Sequence, residues 1–157
     1  MITKTRLLIL FLVFANIVAA CQTATPLPPI TTTTGNNFTL GIGQSATITD
    51  AGLTVTLTSV AGDERCPSGM ECAASGPVTL KVSVQKGSDA PAEFLLQTFT
   101  DANGDSPDFK FEGIQDSVEF DGHIFQVKAV LPYPDSRPNN IKSSEYRVTF
   151  VVTGNKV

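Results

Sequence analysis

The sequence predicts an all-β fold, a single antiparallel β-sandwich of about eight or nine strands with Greek-key or immunoglobulin-like connections. Three observations predict it. Apolar and polar residues alternate with period two over several stretches of roughly six to nine residues, the mark of half-buried strands. Gly, Pro, Asn and Asp separate those stretches. No window carries an apolar stripe at helical spacing with caps at its ends. A closed barrel is the competing architecture.

The strands follow in chain order. Residues 38–42 and 46–49 are short candidates. GLTVTLTSV puts Leu53, Val55 and Leu57 on one face and Thr54, Thr56 and Thr58 on the other. PVTLKVSVQK turns Val78, Leu80, Val82 and Val84 inward and Thr79, Lys81 and Ser83 outward. Residues 94–99, 109–111 and 118–120 are further short candidates. HIFQVKAVL places Phe125, Val127, Ala129 and Leu131 on one face. EYRVTFVVT closes the set, with Tyr146, Val148, Phe150 and Val152 facing in and Arg147, Thr149 and Thr153 facing out. The Val and Leu rows and the Phe side chains form the expected core, and the chain has no Trp.

Three segments follow. Residues 1–20 have the order of an export signal: Lys4 and Arg6, an apolar run over 7–17 broken by Asn16, then Val18-Ala19-Ala20. The run falls short of the roughly 20 apolar residues of a membrane-spanning helix. Residues 21–35, beginning Cys21-Gln22 and rich in Thr and Pro without charge, read as a tether, because such a segment cannot bury enough apolar surface to fold. Residues 36–157 are the β-domain, long enough for one core.

Val18-Ala19-Ala20-Cys21 resembles the lipobox of bacterial lipoproteins. The resemblance implies cleavage before Cys21, a diacylglyceryl group on its sulfur and an acyl chain on its amine. Two or more acyl chains hold a protein stably on a membrane where one does so only marginally. The expected location is the cell membrane or the outer membrane, with the domain outside the cytoplasm. Gln22 stands where Asp would signal retention at the inner membrane. Loss of Lys4 and Arg6 with the signal takes the net charge from −4 to −6. No basic patch exists, which argues against nucleic acid and anionic lipid as partners. The expected partners are the membrane, through the anchor, and an envelope protein or polysaccharide.

In an exported chain, Cys66 and Cys72 across the Pro67-Ser68-Gly69 turn read as a disulfide. Closing a loop of about seven residues stabilises by roughly 2 kcal/mol. A redox pair is the alternative, but such pairs use Cys-x-x-Cys at a helix N-terminus. A zinc site is another, and only His123 and carboxylates could complete it. Asp63-Glu64-Arg65-Cys66-Pro67, then Cys72 and Gly76, resembles a hairpin signature of small bacterial secreted proteins and lipoproteins of uncharacterised function. Leu131-Pro132-Tyr133-Pro134 and Tyr146-Arg147-Val148-Thr149 resemble that family's closing segment. The resemblance implies a β-sandwich with a stapled hairpin and no established activity. Ala74 and Ser75 stand where the family has Trp-Ala, so any contact that Trp makes over the disulfide is missing here. Asp63 and Arg65 flank the staple, either as a local ion pair or as a loop whose guanidinium meets an anion.

DANGDSPDFKFE sets Asp101, Asn103, Asp105 and Glu112 at positions 1, 3, 5 and 12 of an EF-hand-like calcium loop. Oxygen-only ligands suit calcium, and calcium is the one cofactor the sequence suggests. Ser106 stands where that loop needs Gly, and the flanks read as strands; a solvated turn is the competing reading. His123 is the only His, no Gly-x-Ser-x-Gly elbow exists, and paired carboxylates occur only in this run. No catalytic set is recognised. The chain reads as a membrane-anchored lipoprotein presenting a binding or structural module at the cell envelope. The alternative is a calcium-dependent envelope enzyme or accessory protein using loop 101–112.

Overall fold

The computed structural model describes residues 26–135 and 141–154. The signal segment 1–20 and Cys21 lie outside the described residues. Nine strands form two sheets packed as a β-sandwich: β1 (Ile30–Thr32), β2 (Asn37–Gly41), β3 (Ser45–Ile48), β4 (Leu53–Asp63), β5 (Val78–Lys86), β6 (Ala92–Thr98), β7 (Ser117–Phe120), β8 (His123–Leu131) and β9 (Arg147–Gly154). One sheet has the order β1-β3-β4-β5-β6 and the other β2-β9-β8-β7. The Greek-key character lies in the second sheet, where β2 pairs with β9, the strand farthest from it in sequence. The only helical element among the described residues is a 3₁₀ turn at Ser143–Glu145.

Alternation made the central strands, and burial follows it. Leu53, Val55 and Leu57 of β4, Val78, Leu80, Val82 and Val84 of β5, and Val148, Phe150 and Val152 of β9 all lie in the core between the sheets. Phe38 of β2 stacks on Phe150, centroids 6.0 Å apart. Phe94 of β6 meets Phe120 of β7 edge to face and joins the two sheets at one side. The outward hydroxyls pair across strands, Ser45 with Thr56 at 2.8 Å and Thr39 with Thr149 at 2.9 Å.

Three features differ from the sequence reading. The ordered domain begins earlier than residue 36. Ile30, Thr31 and Thr32 pair in parallel with Ala46, Thr47 and Ile48, and Ile30 packs on the core. Gln44 donates to the Pro28 carbonyl at 2.7 Å, Leu27 packs on Gly41, and Asp50 accepts from the Thr34 amide and hydroxyl. A three-residue strand is too short to show a period, so its Thr/Pro composition looked like tether. Second, residues 109–111 are not a strand; both Phe109 and Phe111 are exposed.

Third, the predicted inward face of β8 changes phase. A bulge between Val127 and Ala129 inserts one residue against β9, so Val130 is buried and Leu131 is exposed. The short strand expected at 118–120 is present as β7, four residues long, and it leaves the edge of β8 away from β9 without a strand partner near Leu131. Loop residues take that edge instead. Ser106 donates to the Lys128 carbonyl and Val130 donates to the Gly104 carbonyl, both at 2.8 Å, and Asp105 bridges Ala129. The backbone groups of β8 are thereby paired without a longer β7.

Candidate functional site

Strand direction gathers three connections at one end of the sandwich. β4, β6 and β8 all run toward it, ending at Asp63, Thr98 and Leu131. The connections that leave there are residues 64–77, residues 99–116, and the β8–β9 link, described over 132–135 and 141–146.

The first is the stapled hairpin. The β4–β5 ladder continues past its strands through Glu64 N–H to Pro77 O at 3.1 Å and Gly76 N–H to Glu64 O at 2.8 Å. Cys66 and Cys72 are joined by a disulfide, their Cα atoms 6.0 Å apart. Gly69, at φ 79°, makes the turn between them, the left-handed conformation for which glycine carries no penalty. The Ser75 hydroxyl accepts from the Cys66 amide at 3.0 Å. Ala74, in the Trp position of the hairpin signature, is exposed.

Arg65 does not face solvent. Its side chain is fully buried, and all five of its N–H groups have partners. Nε and Nη2 bind the two oxygens of Asp63 at 2.9 and 2.7 Å. Nη1 reaches Val130 O at 2.8 Å and Thr100 Oγ1 at 3.4 Å, and Nη2 reaches Pro132 O at 2.9 Å. The guanidinium carbon lies 5.1 Å from the centroid of the Tyr133 ring. Tyr133 donates its hydroxyl to Cys66 O at 2.9 Å, Ser68 N–H donates to Pro134 O at 2.9 Å, and Tyr146 donates to Asp63 Oδ2 at 3.0 Å. Of the two readings of Arg65, the ion pair holds, because an anion would find no free donor. The guanidinium ties all three connections together. An ion pair in this position loses hydration, and the surrounding hydrogen bonds offset that loss.

Burial pushes the Asp63 carboxyl up, but the hydrogen bonds and charge of Arg65, with the Tyr146 hydroxyl, outweigh it and hold the group below the usual carboxylate range. Burial, then the charge and hydrogen bond of Asp63, push the Tyr146 phenol from 10.0 up to about 12. A lowered acid stabilises the fold above its ordinary pKa and ceases to do so as pH falls through its folded value. A raised phenol stabilises below 10.0, and that contribution disappears as pH rises toward about 12. Tyr146→Phe is therefore expected to cost about 1 kcal/mol at neutral pH. In urea titrations the gap from wild type should close between pH 10.0 and about 12. A gap that stays constant across that range contradicts the assignment.

The acidic loop is organised by Asp101. Its Oδ1 accepts from the amides of Asn103 and Asp105, both at 2.9 Å, and its Oδ2 from Asn103 Nδ2 at 3.2 Å. The Asp105 amide is the main reason its carboxyl is held below the usual range. The left-handed glycine stands at position 4, Gly104, with φ 87°, and not at position 6. Ser106, at position 6, accepts from the Thr98 hydroxyl at 2.9 Å, and Asp108 pairs with Lys128 at 3.2 Å. Glu112 is exposed. Among the described residues, no three His, Cys, Asp or Glu side chains come together in a metal-holding group. Millimolar calcium is expected to leave the melting temperature unchanged, and a rise of several degrees would establish a calcium site at Asp101, Asn103, Asp105 and Glu112.

His123 opens β8 at the opposite end of the sandwich, with Nδ1 2.8 Å from the Asp121 carbonyl. It is separated from Asp101 and Asp105 by the length of that strand. Sequence reasoning missed Thr100, Gly104 and Tyr146 as parts of this end. Tyr146 carried a signal, since it heads an inward row and a buried phenol needs a hydrogen-bond partner. Compared with known proteins, the chain matches no protein-family model, no curated protein and no solved structure.

Proposed function

We propose that the chain is a bacterial lipoprotein, anchored through Cys21, that presents the β-sandwich as a binding or structural module at the cell envelope. The observation that carries this reading is the loop end. Three connections are fixed there by a disulfide and by the buried Arg65 network. Loops held on a rigid scaffold are where binding surfaces are built. The chemistry at this end is hydrogen bonding and packing. Asp101 holds loop amides, Asp108 pairs with Lys128, and His123 stands at the far end. A module of this kind recognises an envelope protein or polysaccharide by surface complementarity.

Fractionating cells that express the full chain tests the anchor. The protein is expected with the membranes, and Cys21→Ala is expected in the soluble fraction. Wild type recovered in the soluble fraction overturns the reading.

A further inference from the structure

Six large apolar side chains are exposed among the described residues: Leu27, Met70, Leu95, Phe109, Phe111 and Leu131. Five of them belong to the loop end, and Leu95 alone lies on the outer face of β6. Leu27 packs on Gly41, which pairs with Arg147, which pairs in turn with Leu131. Leu131 lies against Gly104. Met70 is in the stapled hairpin, whose Ser68 bonds Pro134 just beyond β8. Phe111 packs on Phe99, at the end of β6, with centroids 4.6 Å apart, and Phe109 packs on Phe111 at 5.0 Å.

The chain enters the fold at this same end. Only six residue steps separate Cys21 from Leu27, and fully extended they span at most about 20 Å. The far turns of the sandwich lie another strand length away, about 30 Å for the nine residues of β8. A lipid on Cys21 therefore keeps the loop end beside the bilayer. A short link also raises the effective concentration of any contact made there, so contacts too weak to bind a free protein become occupied.

We infer that the loop end rests on the bilayer that holds Cys21, with Leu27, Met70, Phe109, Phe111 and Leu131 entering its interfacial layer. This rests on the lipid-anchor reading above and makes the bilayer the surface that the loop end meets, which leaves the sheet faces and the far turns for an envelope protein or polysaccharide. Asp101, Asp105, Asp108 and Glu112 at the same end disfavour anionic headgroups, so the surface contacted is zwitterionic, and apolar burial holds the contact. The sandwich stands on its loops, with Leu95 on the outer face of β6, back from the loops.

The absence of Trp from the chain gives a direct test. Phe109→Trp and Leu131→Trp each place a single reporter at the loop end, and Leu95→Trp places one on β6; all three positions are exposed, so the fold tolerates them. The full lipidated protein is reconstituted in phosphatidylcholine vesicles with and without brominated acyl chains. Indole emission from the Phe109→Trp and Leu131→Trp variants is expected to shift to the blue and lose at least half its intensity to bromine, while emission from Leu95→Trp is unaffected. Quenching in the two loop-end variants no greater than in Leu95→Trp overturns the inference. Mass spectrometry of the same preparation reports the acyl chains on Cys21 separately. Their absence overturns the anchor reading, and this inference with it, through a different readout.

Discussion

Replacing Arg65 by methionine is expected to destabilise the fold by about 3–5 kcal/mol, the usual cost of removing one partner from a buried ion pair. The guanidinium side chain is fully buried, and the Asp63 carboxylate it covers is nearly so. Removal leaves that carboxylate with the Tyr146 hydroxyl as its remaining side-chain donor, and strips Val130 O and Pro132 O of theirs. Methionine fills the volume without supplying a donor, so the loss reads the electrostatics and not a cavity. The measurement is the urea midpoint at neutral pH with the slope held in view, since a changed slope would signal a changed unfolded state. A loss under about 1 kcal/mol, the size of a single ordinary hydrogen bond, would show that the network is ornamental to stability.

The same network makes a sharper statement through a double-mutant cycle. Asp63→Ala and Arg65→Ala each leave the other charge buried, whereas the double variant leaves neither. The double variant is therefore expected to be more stable than the sum of the single losses predicts, by roughly 2 kcal/mol or more, because neighbours in one network are not additive. Strict additivity would mean that Arg65 acts through Val130, Pro132 and Tyr133 alone.

Much of the sandwich was legible because its central strands bury one face and wet the other. The rows in β4, β5 and β9 could be assigned to the core from period alone, and the disulfide followed from reading residues 1–20 as an export signal and from the turn residues. What escaped depends on partners distant in the chain. The bulge after Val127 reverses which of Val130 and Leu131 is inside, and nothing local marks it. The alternation of Phe109-Lys110-Phe111 imitates a strand, but the free edge of β8 is already occupied by residues 104–106, so these rings find Phe99 instead. The pairing of Arg65 with Asp63 could be read from their spacing, but its burial could not, because two of its acceptors, Val130 and Pro132, lie 65 and 67 residues away. A short strand at Ile30–Thr32 has no period to read, and it exists because Ala46 to Ile48 offer it an open edge.

Gly104→Ala carries the second large effect, and Gly113→Ala is its control. Both glycines hold left-handed backbone, φ 87° and 80°. That conformation costs a residue with a Cβ roughly 1–2 kcal/mol. The surroundings differ. A Cβ on Gly113 meets nothing within 4 Å, while one on Gly104 would stand 2.6 Å from the Val130 carbonyl oxygen and 2.8 Å from Leu131 Cδ2. The first of these is backbone and cannot swing aside. The loop must lift off β8, and the Val130 N–H to Gly104 O bond goes with it. A lost internal hydrogen bond adds about 1 kcal/mol, and an unsatisfied buried donor adds more. Gly104→Ala is expected to cost roughly 2–4 kcal/mol, about twice the loss for Gly113→Ala or more. Hydrogen exchange separates the two further. In Gly104→Ala the amides of Ser106 and Val130 should exchange faster, because the loop that completes the β8 edge has moved. In Gly113→Ala they should stay protected. Equal losses and equal exchange in the two variants would mean that the loop is not docked on β8, and that the edge of the second sheet is open there.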